Sequence, residues 1–243
     1  QGRTMGRGPS IEGRKNAEDA KKAKLFTKLI REITVAAKAG GGDPNANSRL
    51  RLCMDKALAA NMSKDTLQRA IKRGSGEGGA DNFEEIRYEG YAPGGVAIIV
   101  DCMTDNPTRT VAEVRHAFTK NNGQMGSAGS VAYMFSRHGE IAIDTRGEAG
   151  LAEKIMEVAL EAGADDVIDQ PDFTEVLTAP ENFEAVKKAI EAAGMKPYRA
   201  DISLRPANTV ALAGEAAEAV TKIIDWLEDL DDVQNVYTNA ELP

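Results

Sequence analysis

The sequence predicts a multidomain α+β protein: an N-terminal all-helical bundle, then a discontinuous α+β domain that carries an inserted ferredoxin-like βαββαβ domain. Three observations predict it. Apolar residues recur at helical spacing as far as Arg73 and alternate at strand spacing beyond Ala80. The sign of the charge reverses across the same point: residues 1–73 hold 17 Lys and Arg against 7 Asp and Glu, and the rest of the chain holds 13 against 31, within totals of 30 and 38. Residues 139–204 read as strand, helix, strand, strand, helix, strand, which is the ferredoxin-like split unit. The expected domains are 1–80, 81–136 together with 205–243, and 137–204.

Residues 16–39 make the first predicted helix. Leu25, Phe26, Leu29, Ile30, Ile33, Ala36 and Ala37 share one apolar arc, and Lys21, Lys24, Lys28, Arg31 and Lys38 lie almost opposite. Gly40-Gly41-Gly42 and then Asp43-Pro44 end it, because glycine supplies a left-handed cap and proline cannot continue a helix. A second helix is expected from Asn47-Ser48 to about Ala60, with Leu50, Met54, Ala57 and Leu58 inward. Ser63 caps a third, with Asp65 in its first turn. Leu67, Ala70 and Ile71 face inward from it, while Lys64, Arg69, Lys72 and Arg73 face out. Gly74–Gly79 has the composition of a flexible linker.

Beyond the linker, Glu85–Tyr91 and Val96–Val100 are strands of a hairpin joined by Ala92-Pro93-Gly94-Gly95. Thr110–Asn121 reads as a helix, Gly123–Gly129 as a glycine-rich loop and Val131–Phe135 as a strand. Within the insert the strands are Glu140–Ile143, Asp166–Ile168, Phe173–Thr178 and Tyr198–Leu204, and the helices are Leu151–Ala162 and Pro180–Ala193. A strand near Thr209–Leu212, a helix at Gly214–Leu230 and a strand at Val233–Tyr237 follow. These last elements have no partner of their own, so they are expected to complete the sheet begun before residue 136.

The net charge of −8 alone would speak against a nucleic-acid partner, but the basic excess covers a whole domain. That asymmetry points to a polyanion-binding module joined to a well-solvated acidic body. Its candidate contacts are Arg14, Lys15, Lys21, Lys24, Lys28, Arg31, Arg49, Arg51, Lys56, Lys64, Arg69, Lys72 and Arg73. Rows of cations position a protein on phosphate without reading bases, so DNA and RNA both remain open, with structured RNA preferred. The alternative reading is a protein-binding adaptor whose basic domain docks an acidic partner.

Other chemistries find little footing. No apolar run approaches the roughly 18 residues of a membrane span, and Gln1–Met5 holds no apolar segment of the secretory kind. Cys53 and Cys102 lie far apart and away from histidine, which suits a reducing cytoplasm and neither a disulfide framework nor zinc. His116 reads as a helix-surface or packing residue, Cys102 as a small hydrophobe, and Asp165-Asp166 and Asp231-Asp232 as solvated turns. There is no phosphate-cradling P-loop, and Gly74–Gly79 follows a helix rather than a strand. No catalysis, cofactor, metal, membrane or small-molecule substrate is expected. In the body, Tyr91, Pro93 and Gly94 in one turn and Gln124, Met125, Gly126 and Ser127 in another are candidate functional-loop positions. The 123–129 segment is expected to be a mobile, neutral finger whose Met125 awaits a partner.

Several stretches together resemble the YebC family. They are Lys24–Ile33, Gly41–Asn47, Asp55–Ala57, Ala70–Gly74, Tyr88–Val96, Thr110–His116 and Gly129–Ala132, in that order. The family comprises probable bacterial transcriptional regulators and mitochondrial translational activators of cytochrome c oxidase. The resemblance runs from about residue 15 to the end and implies three domains, a cytoplasmic location, and action on DNA or on the translating ribosome, including help with proline-rich sequences. Gly6–Lys15 lacks the His and Trp of the family's usual Gly-His-Ser-Lys-Trp opening, and Met5 is the expected native start. Asp105–Arg109 has one cation fewer than the family's Asp-Asn-Arg-Asn-Arg, leaving Arg109 as that loop's candidate contact. Asn122 stands where glycine is common.

Overall fold

The computed structural model describes the backbone of residues 11–76 and 82–243, and side chains from residue 20 onward. Three helices come first: α1 (Ile11–Gly40), α2 (Ser48–Ala59) and α3 (Lys64–Gly74). Their caps are local chemistry. The Asn47 side chain accepts from Leu50 N at 3.1 Å and donates to the carbonyls of Ala36 and Gly41, so one amide starts α2 and fastens the end of α1. Ser63 Oγ accepts from Thr66 N at 3.2 Å to start α3.

Leu29, Ile33, Leu50, Ala57, Leu67 and Ile71 meet in one buried cluster. Two residues expected inward are not: Leu25 is 48% and Leu58 45% exposed, each at the edge of its helix's apolar arc. Gly74 also differs from its reading as linker. It is buried, and a Cβ there would lie 2.2 Å from the carbonyl oxygen of Thr34, so it is the contact that lets α3 cross α1 closely. Residues 77–79 of the expected linker lie outside the described residues.

The first sheet has strand order β3-β1-β2-β9, with every neighbour antiparallel. Its strands are β1 (Glu84–Ala92), β2 (Val96–Thr104), β3 (Gln124–Met125) and β9 (Val233–Thr238). Helices α4 (Pro107–Lys120) and α7 (Gly214–Asp229) cover one face, where Ile98, Val100, Phe118, Val114, Ile223 and Leu227 are buried together. The other face holds Ala97 and Ile99 against Val131, Phe135, Leu204 and Tyr237. Burial on both faces explains why β2 is a nearly unbroken apolar run.

The second sheet has the order β5-β6-β4-β7, again antiparallel throughout. It is formed by β4 (Phe135–Asp144), β5 (Asp166–Asp169), β6 (Phe173–Thr178) and β7 (Arg199–Pro206), with α5 (Leu151–Glu161) and α6 (Phe183–Ala192) on one face. Both β4 and β7 run across the divides at 136/137 and 204/205. Val131–Phe135 is not a strand: Ala132–Met134 is a 3-10 turn, and Phe135 already opens β4. A parallel pair, β8 (Val210–Ala211) with β10 (Ala240–Glu241), closes the chain. No helix among the described residues is long and apolar enough to cross a membrane.

Candidate nucleic-acid interface

The cations of the helical region divide into two sets. Helical spacing suggested that the row on α1 faces solvent, but its middle, Lys24, Lys28 and Arg31, faces the acidic body, while Lys21 and Lys38 at its ends are exposed. Lys24 pairs with the Asp229 carboxylate and donates to the Asp229 carbonyl at 2.6 Å, and Lys28 donates to the Glu228 carbonyl at 2.6 Å. Both carbonyls belong to the last turn of α7, where they have no intrahelical partner, so the two ammonium groups cap that helix and oppose its negative end. Burial holds Lys28 below the usual lysine range, outweighing the nearby Glu228 carboxylate. One turn on, Arg31 donates to the carbonyls of Met103 and Asp231 and to the Asp232 carboxylate, and its guanidinium lies 4.9 Å over the Phe83 ring.

The cations of α2 are likewise engaged. Arg49 pairs with Glu85, and Arg51 with Glu184 and the Pro44 carbonyl. Lys56 pairs with Glu32 at 2.9 Å and with Asp201 at 3.2 Å. Burial lowers the Lys56 pKa, but those two carboxylates outweigh it and leave it raised. Lys187 of α6 returns a contact to Asp55 at 2.8 Å. These pairs rim a cleft of about 900 Å³ between α2, the first sheet and the second sheet with α6. Among the described residues six cationic and seven acidic side chains line it, so it carries no positive excess for a polyanion.

The second set is on α3. Lys64, Arg69, Lys72 and Arg73 are exposed on the side away from Leu67, Ala70 and Ile71. Arg69 reaches only its own helix, the Asp65 carbonyl and Thr66 Oγ1, each at 3.4 Å. Lys64 and Lys72 make no ion pair among the described residues, and neither does exposed Lys21 near the start of α1. The Arg14 and Lys15 side chains lie outside the described residues.

The body loops are also ordered differently from expectation. Gly94 and Gly95 take φ of 87° and 77° in the turn after Pro93, as a tight hairpin requires. Arg109 is not a free loop cation: it grips the Asp232 carboxylate through Nε at 3.1 Å and Nη2 at 2.8 Å, and also reaches Asp105. The 123–129 segment is no mobile finger. Gln124 and Met125 are β3, paired with Tyr91 and Gly90, and Met125 packs half-buried on the first core. Gly126 N donates to the Glu89 carbonyl at 2.8 Å, and Ser127 is exposed. Asn122 has φ of 59°, which asparagine tolerates where glycine is commoner.

Sequence reasoning missed Glu89 and Asp232, both buried. Glu89 lies within the strand expected at Glu85–Tyr91 and was not singled out. Asp232 passed as a solvated turn, although burial raises its pKa and hydrogen bonds from Arg31, Thr110 and Arg109 outweigh that, leaving it lowered. The sequence carried a signal for Glu89 alone: a run of glycine and small residues downstream offers backbone N–H groups that a carboxylate can collect. His116 behaves as expected, meeting Trp226 edge-on at 5.8 Å.

With this geometry in view, comparison with known proteins is specific. Residues 8–77 match the model described as the TACO1/YebC protein N-terminal domain, and residues 83–240 match the TACO1/YebC second and third domain. A "Probable transcriptional regulatory protein" of Xanthomonas euvesicatoria pv. vesicatoria is 58% identical over 240 residues, covering 98% of each chain. One of the same description from Stenotrophomonas maltophilia is equally similar, 58% over 240 residues with 98% coverage of each chain. A crystal structure of a conserved hypothetical protein from Aquifex aeolicus superposes with a TM-score of 0.84 at 45% identity, covering 93% of this chain and 92% of that one.

Proposed function

The chain belongs to the TACO1/YebC family, and on that premise we propose that it is a nucleic-acid-binding regulator of gene expression that meets phosphate through the outward face of α3. The observation that carries this reading is the division of the cations. Lys24, Lys28, Arg31, Arg49, Arg51 and Lys56 are spent on the chain's own carboxylates and carbonyls, whereas Lys64, Arg69 and Lys72 stand on an open surface. They lie within the N-terminal region that the family model covers. Relatives named as probable transcriptional regulators support a regulatory role.

The α3 cations position a backbone and read no bases, so target choice lies elsewhere. Structured RNA, including that of the ribosome, is the target we favour over duplex DNA, and helping translation through proline-rich sequences is the activity that would follow. We further propose three units at 1–80, 81–136 with 205–243, and 137–204, the last ferredoxin-like. The order β5-β6-β4-β7 with antiparallel neighbours supports that assignment. An adaptor role has one observation in its favour: the helical region does dock an acidic protein surface, its own body. Crosslinking the protein in cells and sequencing the attached nucleic acid separates these readings. Enrichment of ribosomal RNA supports the RNA target, promoter DNA replaces it with transcription, and recovery of neither contradicts the nucleic-acid reading.

A further inference from the structure

We infer that Gly126–Tyr133 is a second contact surface, held in shape by Glu89, on which Tyr133 stacks against an unpaired base of the bound nucleic acid. This rests on the nucleic-acid reading above and adds to it the feature of the target that is read.

Glu89 lies in β1 and is 4% exposed. Its carboxylate accepts three backbone N–H groups: Gly129 at 2.6 Å, Val131 at 2.9 Å and Ala132 at 2.6 Å. It makes no ion pair among the described residues; the three amides are the groups that bond to the charge, with Arg87 adding a weaker attraction. Burial pushes its pKa up, and the three amide donors outweigh that, leaving it below the usual glutamate range. A buried carboxylate is a costly way to fill space, since an apolar side chain would pack there without the desolvation penalty. What it supplies is geometry, because one side chain dictates the course of four successive residues.

Other ties act on the same segment. Tyr91 Oη donates to the Ser130 carbonyl at 3.3 Å, and Gly126 N donates to the Glu89 carbonyl. Gly90 has to be glycine for the segment to lie so close, because a Cβ would meet the Gln124 carbonyl oxygen and the Phe118 ring at 2.7 Å.

The outer side of this rigid segment is unusual. Tyr133 is 76% exposed, more than the other large hydrophobic side chains that reach the surface, such as Tyr198 at 62%. Ser127, Ala128 and Gly129 are exposed with it. From Asn121 to Ser136 the chain carries no charged residue, and exposed Lys120 and Arg137 bracket the stretch. The body carries 31 acidic residues against 13 basic ones, and this stretch adds no acidic side chain to repel a polyanion. A single ring among serine, alanine and glycine is too small an apolar patch to anchor a protein, where hot spots need a surrounding dry rim. A base needs only one ring face and nearby cations.

The test uses the full chain and two probes, an RNA hairpin with 4-thiouridine in its unpaired loop and a fully paired RNA duplex of equal length. Tyr133→Ala should weaken the hairpin about 5- to 150-fold, the range found for one base–aromatic stack. Tyr133→Phe should bind as the wild type, Tyr133→Leu should fall with alanine, and the duplex should bind every variant alike. Photocrosslinking should attach the loop thiouridine to the peptide containing Tyr133. Glu89→Gln should lose the hairpin preference while keeping duplex affinity; should that variant fail to fold, the Tyr133 series decides alone. Equal hairpin affinity for wild type and Tyr133→Ala overturns this inference only. A wild type that binds neither probe, nor a DNA duplex of equal length run beside them, overturns the parent reading and this one with it.

Discussion

Arg31 of α1 donates through Nη1 to Asp232 Oδ1 at 2.8 Å, a bond between residues 201 apart in the chain. The same carboxylate, 2% exposed, also accepts from Arg109 and from Thr110 Oγ1 at 2.8 Å. Two guanidinium groups therefore share one buried charge, and through it the helical region, the start of α4 and the turn before β9 are tied together. The lysines that cap α7 lie one and two turns away on the same face of α1. The docked face of α1 follows from this arrangement.

Asp232→Asn keeps the shape and removes the charge, so Arg31 is left partly buried without its counter-ion. Breaking such a pair costs about 3 kcal/mol, the lower end of the usual range because Arg109 is partly solvated. The carboxyl is held below the usual aspartate value in the fold, so its contribution is complete above about pH 4 and is lost as pH falls through the depressed folded value. Urea denaturation from pH 7 to pH 2 should show that acid-dependent loss in the wild type and a flatter profile in the variant. Coincident curves would remove Asp232 from its place at the hub.

Gly74→Ala tests the crossing of α1 and α3. The new methyl would collide with the backbone oxygen of Thr34, which cannot swing away as a side chain can. Overpacking of this kind costs about 1–3 kcal/mol. Thermal melts followed by circular dichroism should show it, whereas a flexible-linker role for Gly74 predicts no change.

What could be read from the sequence was local. Ser63 was legible as a cap, and Asn47-Ser48 as a helix start, because a helix start is decided within three residues, and the strand and helix order from β4 to β7 follows from period alone. The destination of Arg31 was not legible. Helical spacing places it opposite Ile33, but only tertiary packing says whether that side meets water or Asp232. Leu25 and Leu58 failed similarly, since each sits at an arc edge where burial depends on the neighbour. Phe135 was split from β4 because Ser136 and Arg137 interrupt the apolar run while the backbone pairing to Arg205 and Leu204 continues. Glu89 was hard to read because its partners are backbone amides, whose only trace in the sequence is the run of glycine and small residues at 126–130.

Cys53 and Cys102 should be silent to thiol reagents in the native protein. Burial pushes each thiol up to about 12, so at pH 8 the thiolate fraction is on the order of 10⁻⁴. Labelling with iodoacetamide should require unfolding and should track the urea transition. Rapid native labelling of either cysteine would mean that its core opens far more readily than the packing implies.

α3 rather than α1 is the face proposed to meet phosphate, and the salt dependence of binding tests this most directly. Reversing Lys64, Arg69 and Lys72 to Glu leaves Leu67, Ala70 and Ile71 in place, so the bundle should fold. Without those three cations to neutralise phosphates, affinity for a structured RNA should fall by orders of magnitude, and the slope of log K against log salt should flatten by about 2 to 3. An α3-reversed protein that is folded and binds with unchanged affinity and unchanged slope would contradict the account.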